Sequence, residues 1–253
     1  MSSGLVVTAV LVLALIVVTF VVGALRKRFD TIDTVWGLGF ALVAVVTFAR
    51  SDGDLTARIL STVLTVVWGV RLAVHIGLRN RGGDEDKRYQ GRGPLAMFTR
   101  FYLTQAVLLW LISLPVQVAQ YGDPAPAALY WIGGLLWAVG FAFEAIGDHQ
   151  LQRFRRDPAN KGKVLDTGLW RYTRHPNYFG DACVWWGLYL LACHSWLAAA
   201  TVVSPLIMTA LLAKGSGKPI LERQLLDSRP GYAEYVARTS GFFPLPPKPL
   251  ADR

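Results

Sequence analysis

The sequence has little cysteine and no spacing typical of metal ligands. Only two of its 253 residues are cysteines, Cys183 and Cys193, and both fall in one apolar run. If that run is helical, the two lie about 15 Å apart along its axis, too far for a disulfide to join them. The four histidines form neither an HExxH nor an HxH pair. These shortages argue against a disulfide-stabilised scaffold and against a zinc site.

Charged residues are also scarce, at 17% of the chain, whereas 53% of residues are hydrophobic. Soluble domains of this length are usually more charged and less apolar. The net charge of +9 comes from Lys and Arg residues that lie between long apolar blocks. That placement is typical of the cytoplasmic loops of membrane proteins rather than of a nucleic-acid-binding surface. We therefore expect a chain surrounded by membrane lipids, with no nucleic-acid partner.

Seven apolar blocks have about the length that crosses a bilayer. They are residues 4–25, 33–49, 55–77, 98–119, 127–147, 178–194 and 196–213. The first is expected to be a retained helix, because its basic residues follow it, whereas a signal peptide carries its positive charge first. Basic residues concentrate in alternate loops, which predicts an N-terminus outside and a C-terminus in the cytoplasm. The sequence thus predicts one all-α integral membrane domain over residues 1–253, with seven transmembrane helices.

Polar residues within the predicted spans lie towards their predicted cytoplasmic ends. Buried ionisable groups in membranes are costly and usually functional. Several recur at i, i+4 and so share a helix face. Together they predict a polar cavity open to the cytoplasm, whose basic rim suits a phosphorylated cytosolic cofactor, although attraction to anionic lipids accounts for part of that charge. The residues are Asp33, Arg71, His75, Arg79, Glu144, Asp148, Asn177 and Asp181.

Tryptophan within the predicted spans gives a second indication. Trp68 is three residues from Arg71, and Trp185 is four residues from Asp181. Aromatic walls beside a polar site fit a flat apolar ligand. Together with Trp36, these residues predict a pocket for a lipophilic small molecule taken from the bilayer.

Three motifs carry a resemblance to a known family. They are GDHQLQRFRRDP at 147–158, DTGLWRYTRHPNYFGD at 166–181 and RPGYAEYVARTSGFFP at 229–244. In order and spacing they resemble the C-terminal domain of the steroid 5α-reductase family, and bacterial members of that family most of all. The wider group includes sterol reductases and, more distantly, isoprenylcysteine carboxyl methyltransferases. The similarity runs from about Asp33 to Pro246.

The resemblance implies a seven-helix membrane fold that holds NADPH in a cytosol-facing cavity. It implies a cytoplasmic cofactor-binding segment at 148–176 and a cytoplasmic C-terminal segment at 214–253 that closes over the cofactor. In reductases of this group, an Asn and the acidic residue four positions later contact the cofactor. The residues that match these and the neighbouring motif positions are Asp148, Arg155, Arg171, Tyr172, Arg174, His175, Asn177, Tyr178, Asp181, Glu222 and Tyr235.

On the substrate side the sequence departs from the steroid reductases. Their Gln-Glu pair is absent, and Asp33 and Trp36 stand at about that place, with Tyr89 as a candidate tyrosine. The implied reaction is reduction of an activated C=C bond, in which the carbonyl oxygen of an enone must receive a proton or hydrogen bond. We expect that donor to be Tyr89, His75 or a protonated Asp33. Trp36, Trp68, Arg71 and Trp185 are the expected substrate-binding residues.

Two other function classes remain open at this point. One is a methyltransferase that uses S-adenosylmethionine, because the RHPxYxG element occurs in that branch as well. The other is a non-enzymatic lipid-binding or transport protein. The NYFGD form of the motif and the abundance of arginine favour reduction, and the lack of internal repeats argues against a transporter.

Overall fold

The computed structural model describes residues 1–81, 85, 89, 91, 93–215 and 218–249, and for Ile220 only the backbone. Over these residues the regular elements are all helices and none is a strand, so the predicted all-α fold is confirmed. The α-helices are α1 Ser2–Arg26, α2 Thr31–Arg50, α3 Leu55–Asn80, α4 Pro94–Met97, α5 Leu103–Ile112, α6 Leu114–Val118, α7 Ala127–Arg156, α8 Pro176–Ala192, α9 Trp196–Ala200, α10 Val203–Ala213, α11 Lys218–Ser228 and α12 Tyr232–Arg238.

Six helical stretches of the described residues are long and apolar enough to cross a membrane, and they mark the chain as a membrane protein. The predicted span 178–194 corresponds to α8, which has 17 residues. At 1.5 Å per residue α8 measures about 26 Å, somewhat less than the roughly 30 Å of a hydrocarbon core. The number of seven spans and the orientation of the termini therefore stay predictions. The six stretches are Ser2–Arg26, Thr31–Arg50, Leu55–Asn80, Pro94–Ile112, Ala127–Arg156 and Trp196–Ala213.

Two of the helical segments differ from their predicted bounds. The fourth predicted span, 98–119, is interrupted: α4 leads into a π-helical turn at Phe98–Tyr102, and α5 ends at Ile112, one residue before the short α6. The fifth, 127–147, continues as α7 to Arg156. The extension follows from local chemistry, since 148–156 contains good helix formers and the next residues are Asp157 and Pro158, where a helix normally ends.

The chain divides into two compact units. Unit 1 comprises Met1–Trp131 and Leu188–Ser204, and unit 2 comprises Ile132–Gly187 and Pro205–Arg253. Each predicted site residue can therefore be assigned to one of them. The expected single domain over residues 1–253 stays a prediction.

Within unit 1, α2 and α3 pack with their backbones in contact. A Cβ added at Gly37 would collide with the backbone of Gly69, and the reverse also holds, so only glycine permits this approach. Trp36 and Trp68 each stand next to one of these glycines in the sequence, and both rings meet that of Phe40 edge to face, with centroids 5.2 and 5.6 Å apart. Close backbone contact and aromatic packing thus fix α2 against α3.

Within unit 2, α7 and α8 pack along a seam of glycines spaced seven residues apart. Gly133, Gly140 and Gly147 of α7 are all buried. A Cβ at Gly140 would lie 2.5 Å from the carbonyl oxygen of Gly180, and one at Gly187 would lie 2.6 Å from that of Gly133. Because side chains on the same helix faces must then lie close together, this seam sets the positions of the polar residues at the α7–α8 junction.

Candidate functional site

Three segments far apart in the sequence converge in unit 2. They are the C-terminal turns of α7, the motif at 166–181 that leads into α8, and the C-terminal region that contains α11 and α12. Trp170 illustrates the convergence. Its indole nitrogen donates to the carbonyl oxygen of Gly147 at 3.1 Å, and its own carbonyl accepts a hydrogen bond from the Tyr235 hydroxyl at 2.5 Å.

An amide and a carboxylate meet where α7 and α8 adjoin. The Asn177 Nδ2 donates to Asp148 Oδ1 at 3.1 Å, and the Asn177 Oδ1 accepts from the backbone nitrogen of Tyr178 at 3.1 Å. Asp148 and Glu144 are buried one turn apart on α7. Asp181 follows Asn177 by one turn of α8 and is half-buried. The residues predicted to converge from the i, i+4 pattern of these two helices are thus together in unit 2.

Arg174 connects the motif to the C-terminal region. Its guanidinium binds Glu222 through two nitrogens, with Nε to Oε1 at 2.7 Å and Nη2 to Oε2 at 3.3 Å. Its Nη1 donates to the carbonyl oxygens of Val236 at 3.0 Å and Thr239 at 2.5 Å. The side chain is buried, and α11 and the end of α12 occupy its hydrogen-bonding capacity. Arg174 therefore acts first as a structural link.

His175 shares the same carboxylate. Its Nε2 lies 3.0 Å from Glu222 Oε1, and its ring stacks on that of Tyr178 with centroids 5.2 Å apart. Burial by itself raises the pKa of the Glu222 carboxyl, but the hydrogen bonds from His175 and Arg174 and the Arg174 charge lower that pKa to about 2. Burial lowers the pKa of His175, as do Lys218 and Arg174, against the opposite effect of Glu222. At neutral pH, Glu222 is thus an anion and His175 a neutral donor.

A cavity of about 560 Å³, including the open space at its mouth, lies beside this cluster. Its aromatic lining is contributed by Phe154, Trp170, Tyr232 and Tyr235, among aliphatic side chains. Burial raises the pKa of Tyr232 to about 12 and also raises that of Tyr235, so both phenols stay protonated.

The charged groups that line the cavity are all basic. They are Arg155, Lys163, Arg174 and Arg229, with His175 beside them, and the described lining contains no carboxylate. Glu222, which neutralises Arg174, lies outside the lining. Cations, aromatic rings and no acid are a combination suited to a ligand with a flat ring and negative charge.

Most of the predicted cofactor residues are thus brought together in unit 2. Arg155, Arg174, His175 and Tyr235 line the cavity. Arg171 and Tyr172 are exposed. The carbonyl oxygen of Tyr172 accepts a hydrogen bond from the backbone nitrogen of Leu245 at 2.9 Å. That hydrogen bond holds the extended C-terminal segment against the motif.

Sequence reasoning missed several of the lining residues. Tyr232 stands in the quoted GYAEY motif, whose repeated tyrosines were a signal that could have found it. Arg229 opens the same motif, at 229–244, but nothing in the sequence pairs it with Lys163, which lies 66 residues earlier. They become neighbours only in the fold, where Arg229 Nη1 donates to the Lys163 carbonyl oxygen at 2.9 Å.

The predicted catalytic residues lie in unit 1. The Tyr89 hydroxyl donates to Asp33 Oδ1 at 2.8 Å, and the Tyr89 ring is buried against Phe101 with centroids 5.8 Å apart. Arg71 and His75 are half-buried one turn apart on α3. The fold therefore joins Tyr89 and Asp33, which are 56 residues apart in the sequence.

The three tryptophans predicted to bind substrate have different environments. Trp36 is half-buried at the start of α2, whereas Trp68 is fully enclosed and packs on Phe40. Trp185 is fully enclosed within unit 2. Of the three, Trp36 has the largest exposed surface with which to contact a ligand.

Comparison with known protein families gives one match that spans most of the chain. Residues 19–239 match a family described as a protein of unknown function, DUF1295. The chain belongs to the DUF1295 family. The match contains both the Asp33–Tyr89 pair and the unit 2 cluster, so both belong to the part of the chain that is DUF1295.

A relative of this DUF1295 chain is the uncharacterized protein C594.04c of Schizosaccharomyces pombe. The two are 24% identical over 215 residues, which is 72% of this chain and 61% of the relative. The chain therefore spans less than two thirds of that relative's length. No solved structure matches the chain.

Proposed function

We propose that this DUF1295 protein is an NADPH-dependent reductase, embedded in a membrane, that saturates the activated C=C bond of a lipophilic enone. The observation that carries the proposal is the cavity of unit 2, whose described lining combines cations and aromatic rings without a carboxylate and comes mostly from the three motifs that resemble steroid 5α-reductases. The substrate class includes steroid-like molecules. The absence of the steroid reductases' Gln-Glu pair leaves room for other flat lipids.

The residues of unit 2 fit a phosphorylated dinucleotide. The basic side chains suit phosphate oxygens, because guanidinium and ammonium groups form charge-assisted hydrogen bonds with them. The rings of Phe154, Trp170 and Tyr232 offer faces for a flat base. Asn177 and Asp148 lie outside the described cavity lining, at the α7–α8 junction, where their amide and carboxylate groups suit the amide and hydroxyl groups at the far end of such a molecule. S-adenosylmethionine has no phosphate and carries a sulfonium cation, so the same lining suits it less well.

The division of labour follows from the two clusters. NADPH, when bound, would supply a hydride to the electron-poor β-carbon of the enone. Arg174, Glu222 and His175 keep the C-terminal region in place over the motif, while Arg155 and the neighbouring cations hold phosphate. Asn177, with Asp181 one turn further along α8, orients the reactive end.

Unit 1 supplies the substrate side of the proposal. Reduction of an enone places negative charge on its carbonyl oxygen, which needs a hydrogen-bond donor or a proton. The Tyr89 hydroxyl is such a donor, and Asp33 fixes its orientation through the 2.8 Å hydrogen bond. His75 and Arg71 add a second donor and a positive charge on α3. Trp36 contacts the flat apolar body of the substrate.

The proposal includes the finer features predicted from the sequence. These are seven transmembrane helices in a bacterial cytoplasmic membrane, with the N-terminus outside and the C-terminus in the cytoplasm. The positions of the basic loops support this orientation. A cytoplasmic C-terminus gives the unit 2 cavity access to the cytosolic pool of NADPH.

The test is a turnover assay on the purified full chain in detergent, with NADPH or S-adenosylmethionine and a panel of steroidal, sterol and simpler lipid enones. We expect NADPH oxidation that depends on an enone, with a product two hydrogens heavier than the substrate. Transfer of a methyl group from S-adenosylmethionine would contradict the proposal and favour the methyltransferase alternative. Lipid or solute flux in proteoliposomes with no reduction of any enone would favour the non-enzymatic one.

A further inference from the structure

We infer that Lys163 and Arg229 form the subsite that distinguishes NADPH from NADH, by binding the 2′-phosphate of the adenosine ribose. The inference rests on the proposed function and deepens it. It concerns two residues that were given no role from the sequence, although Arg229 is the first residue of the motif at 229–244. Their side chains line the cavity of unit 2, and their segments are joined by the hydrogen bond from Arg229 Nη1 to the Lys163 carbonyl oxygen.

The cations of the cavity differ in the partners that they already have. Of its four cations, Arg174 is committed to Glu222 and to two backbone carbonyl oxygens. Arg155 lies on α7 seven residues after Asp148, hence on the same helix face as the Asn177–Asp148 contact. We therefore assign Arg155 to the phosphates that connect the two nucleosides. Lys163 and Arg229 are the two cations of the described lining that are not yet assigned to Glu222 or to a ligand group.

Lys163 and Arg229 differ from Arg174 in their ion pairs. Among the described residues, no ion pair links either of them to a carboxylate. The nearby acid Asp166 is instead paired with Arg238. Lys163 and Arg229 both contribute positive charge to the same cavity, and an anion bound there is attracted to both. A phosphate monoester carries between one and two negative charges at neutral pH, so it can satisfy both.

Aromatic rings line the same cavity as Lys163 and Arg229. Phe154 and Tyr232 belong to the same cavity lining and offer ring faces for an adenine base. Lys163 is exposed and Arg229 is half-exposed, so the pair lies where a ribose phosphate can be reached from solvent. A base on the aromatic wall and a phosphate monoester on the cation pair together describe adenosine 2′-phosphate. NADH lacks that phosphate.

The experiment measures equilibrium binding rather than activity. The wild-type protein in detergent is titrated with NADPH, NADH, 2′,5′-ADP and 5′-AMP at one fixed salt concentration. The variants are Lys163→Met and Arg229→Met, singly and together. Lys161→Met and Arg223→Met are matched controls, because both residues are exposed, lie on the same two segments and do not line the cavity. Thermal unfolding of every variant verifies that the fold is retained.

We expect each single variant to weaken NADPH and 2′,5′-ADP about tenfold, the size of one charge-assisted hydrogen bond. NADH and 5′-AMP should change by less than about threefold, since they make no contact with the pair. The control variants should leave all four dissociation constants within about twofold, the change expected from long-range charge in salt.

The outcomes separate the two levels of the proposal. If the wild type binds NADPH but Lys163→Met and Arg229→Met weaken NADPH and NADH equally, the subsite is wrong and the reductase proposal stands. Equal losses in the Lys161 and Arg223 controls would also overturn the subsite, because general electrostatics would then explain the preference. If the wild type binds neither dinucleotide, the proposed function fails and the subsite fails with it.

Discussion

The two units use the same packing device for different chemical surroundings. In unit 1 the glycine contact of α2 with α3 brings aromatic rings together, and the polar pair Asp33–Tyr89 stands near the start of α2. In unit 2 the glycine seam of α7 and α8 ends at Asn177 and Asp148, and the same unit contains the cavity lined by cations. The proposed function assigns the two surroundings different ligands: the Asp33–Tyr89 pair and Trp36 of unit 1 receive the lipid substrate, whereas the basic cavity of unit 2 receives the nucleotide.

The largest effect is expected from breaking the seam of unit 2. Gly140→Leu should destabilise the protein by more than about 3 kcal/mol, because the new side chain has to displace the backbone of α8. Gly134→Leu is the matched control on the same helix, since a Cβ there meets no neighbouring atom. Thermal unfolding in detergent measures both. Equal stability of the two variants would show that the α7–α8 contact is not needed for folding.

The next largest effect concerns chemistry in unit 1. Tyr89→Phe removes the hydroxyl that donates to Asp33 and should lower kcat by about 10²- to 10⁴-fold, the usual contribution of a positioned acid. The dissociation constant of NADPH should stay within about twofold, because the cofactor is assigned to unit 2. Tyr121→Phe serves as the control in the same unit. A loss of NADPH affinity in Tyr89→Phe would contradict the assignment of the substrate to unit 1 and of the cofactor to unit 2.

The reciprocal variant lies in unit 2. Asn177→Ala removes the amide that contacts Asp148 and should abolish detectable turnover, because the reactive end of NADPH is then no longer oriented. It should also weaken NADPH binding at least about tenfold. Without ligand the variant should remain folded, with a thermal midpoint somewhat below that of the wild type, because the buried Asp148 has lost a donor. Steady-state kinetics and titration calorimetry measure these effects. Wild-type turnover in Asn177→Ala would remove the central role given to this residue.

The smallest effect is a dependence of stability on pH. Because its pKa is lowered in the fold, Glu222 stabilises the protein above the unfolded value of 4.5, and that contribution is lost as the pH falls towards about 2. His175, whose pKa is also lowered, acts in the same direction, since acid charges it more readily in the unfolded chain. Acid should therefore narrow the stability difference between wild type and Glu222→Gln.

Thermal unfolding of both proteins between pH 7 and the lowest tolerated pH measures this effect. Glu234→Gln is the control, because Glu234 is exposed on α12. A gap between wild type and Glu222→Gln that stays constant over the whole range would contradict the assignment of Glu222 as a buried anion.

The sequence predicts the helices well where hydropathy and helix propensity agree. The starts of α2, α3 and α7 lie within about two residues of their predicted positions, a normal margin for helix ends. A prediction from hydropathy alone places the end of α7 at 147, because the nine residues that follow are mostly polar, although they still favour a helix. The interruption at Ser113 had no strong signal, since Pro115 is tolerated in the first turn of α6.

In the candidate site, too, helix periodicity predicts some contacts and not others. The i, i+4 spacing on α7 and α8 predicted that Asp148 and Asn177 share a junction, because each helix fixes its own faces. The Arg174–Glu222 link, 48 residues apart, and the neighbouring Lys163 and Arg229 arise from the packing of loops, which periodicity does not encode. The seven-residue spacing of Gly133, Gly140 and Gly147 is visible in the sequence, but the spacing does not predict which helix packs against these glycines.

The central claim is that unit 2 holds NADPH, and titration calorimetry of NADPH into the wild-type protein tests it most directly. We expect saturable binding of one NADPH per chain, lost or strongly weakened in Asn177→Ala and unchanged in Tyr89→Phe. No saturable binding to the wild-type protein, or equal affinity in all three proteins, would contradict the account.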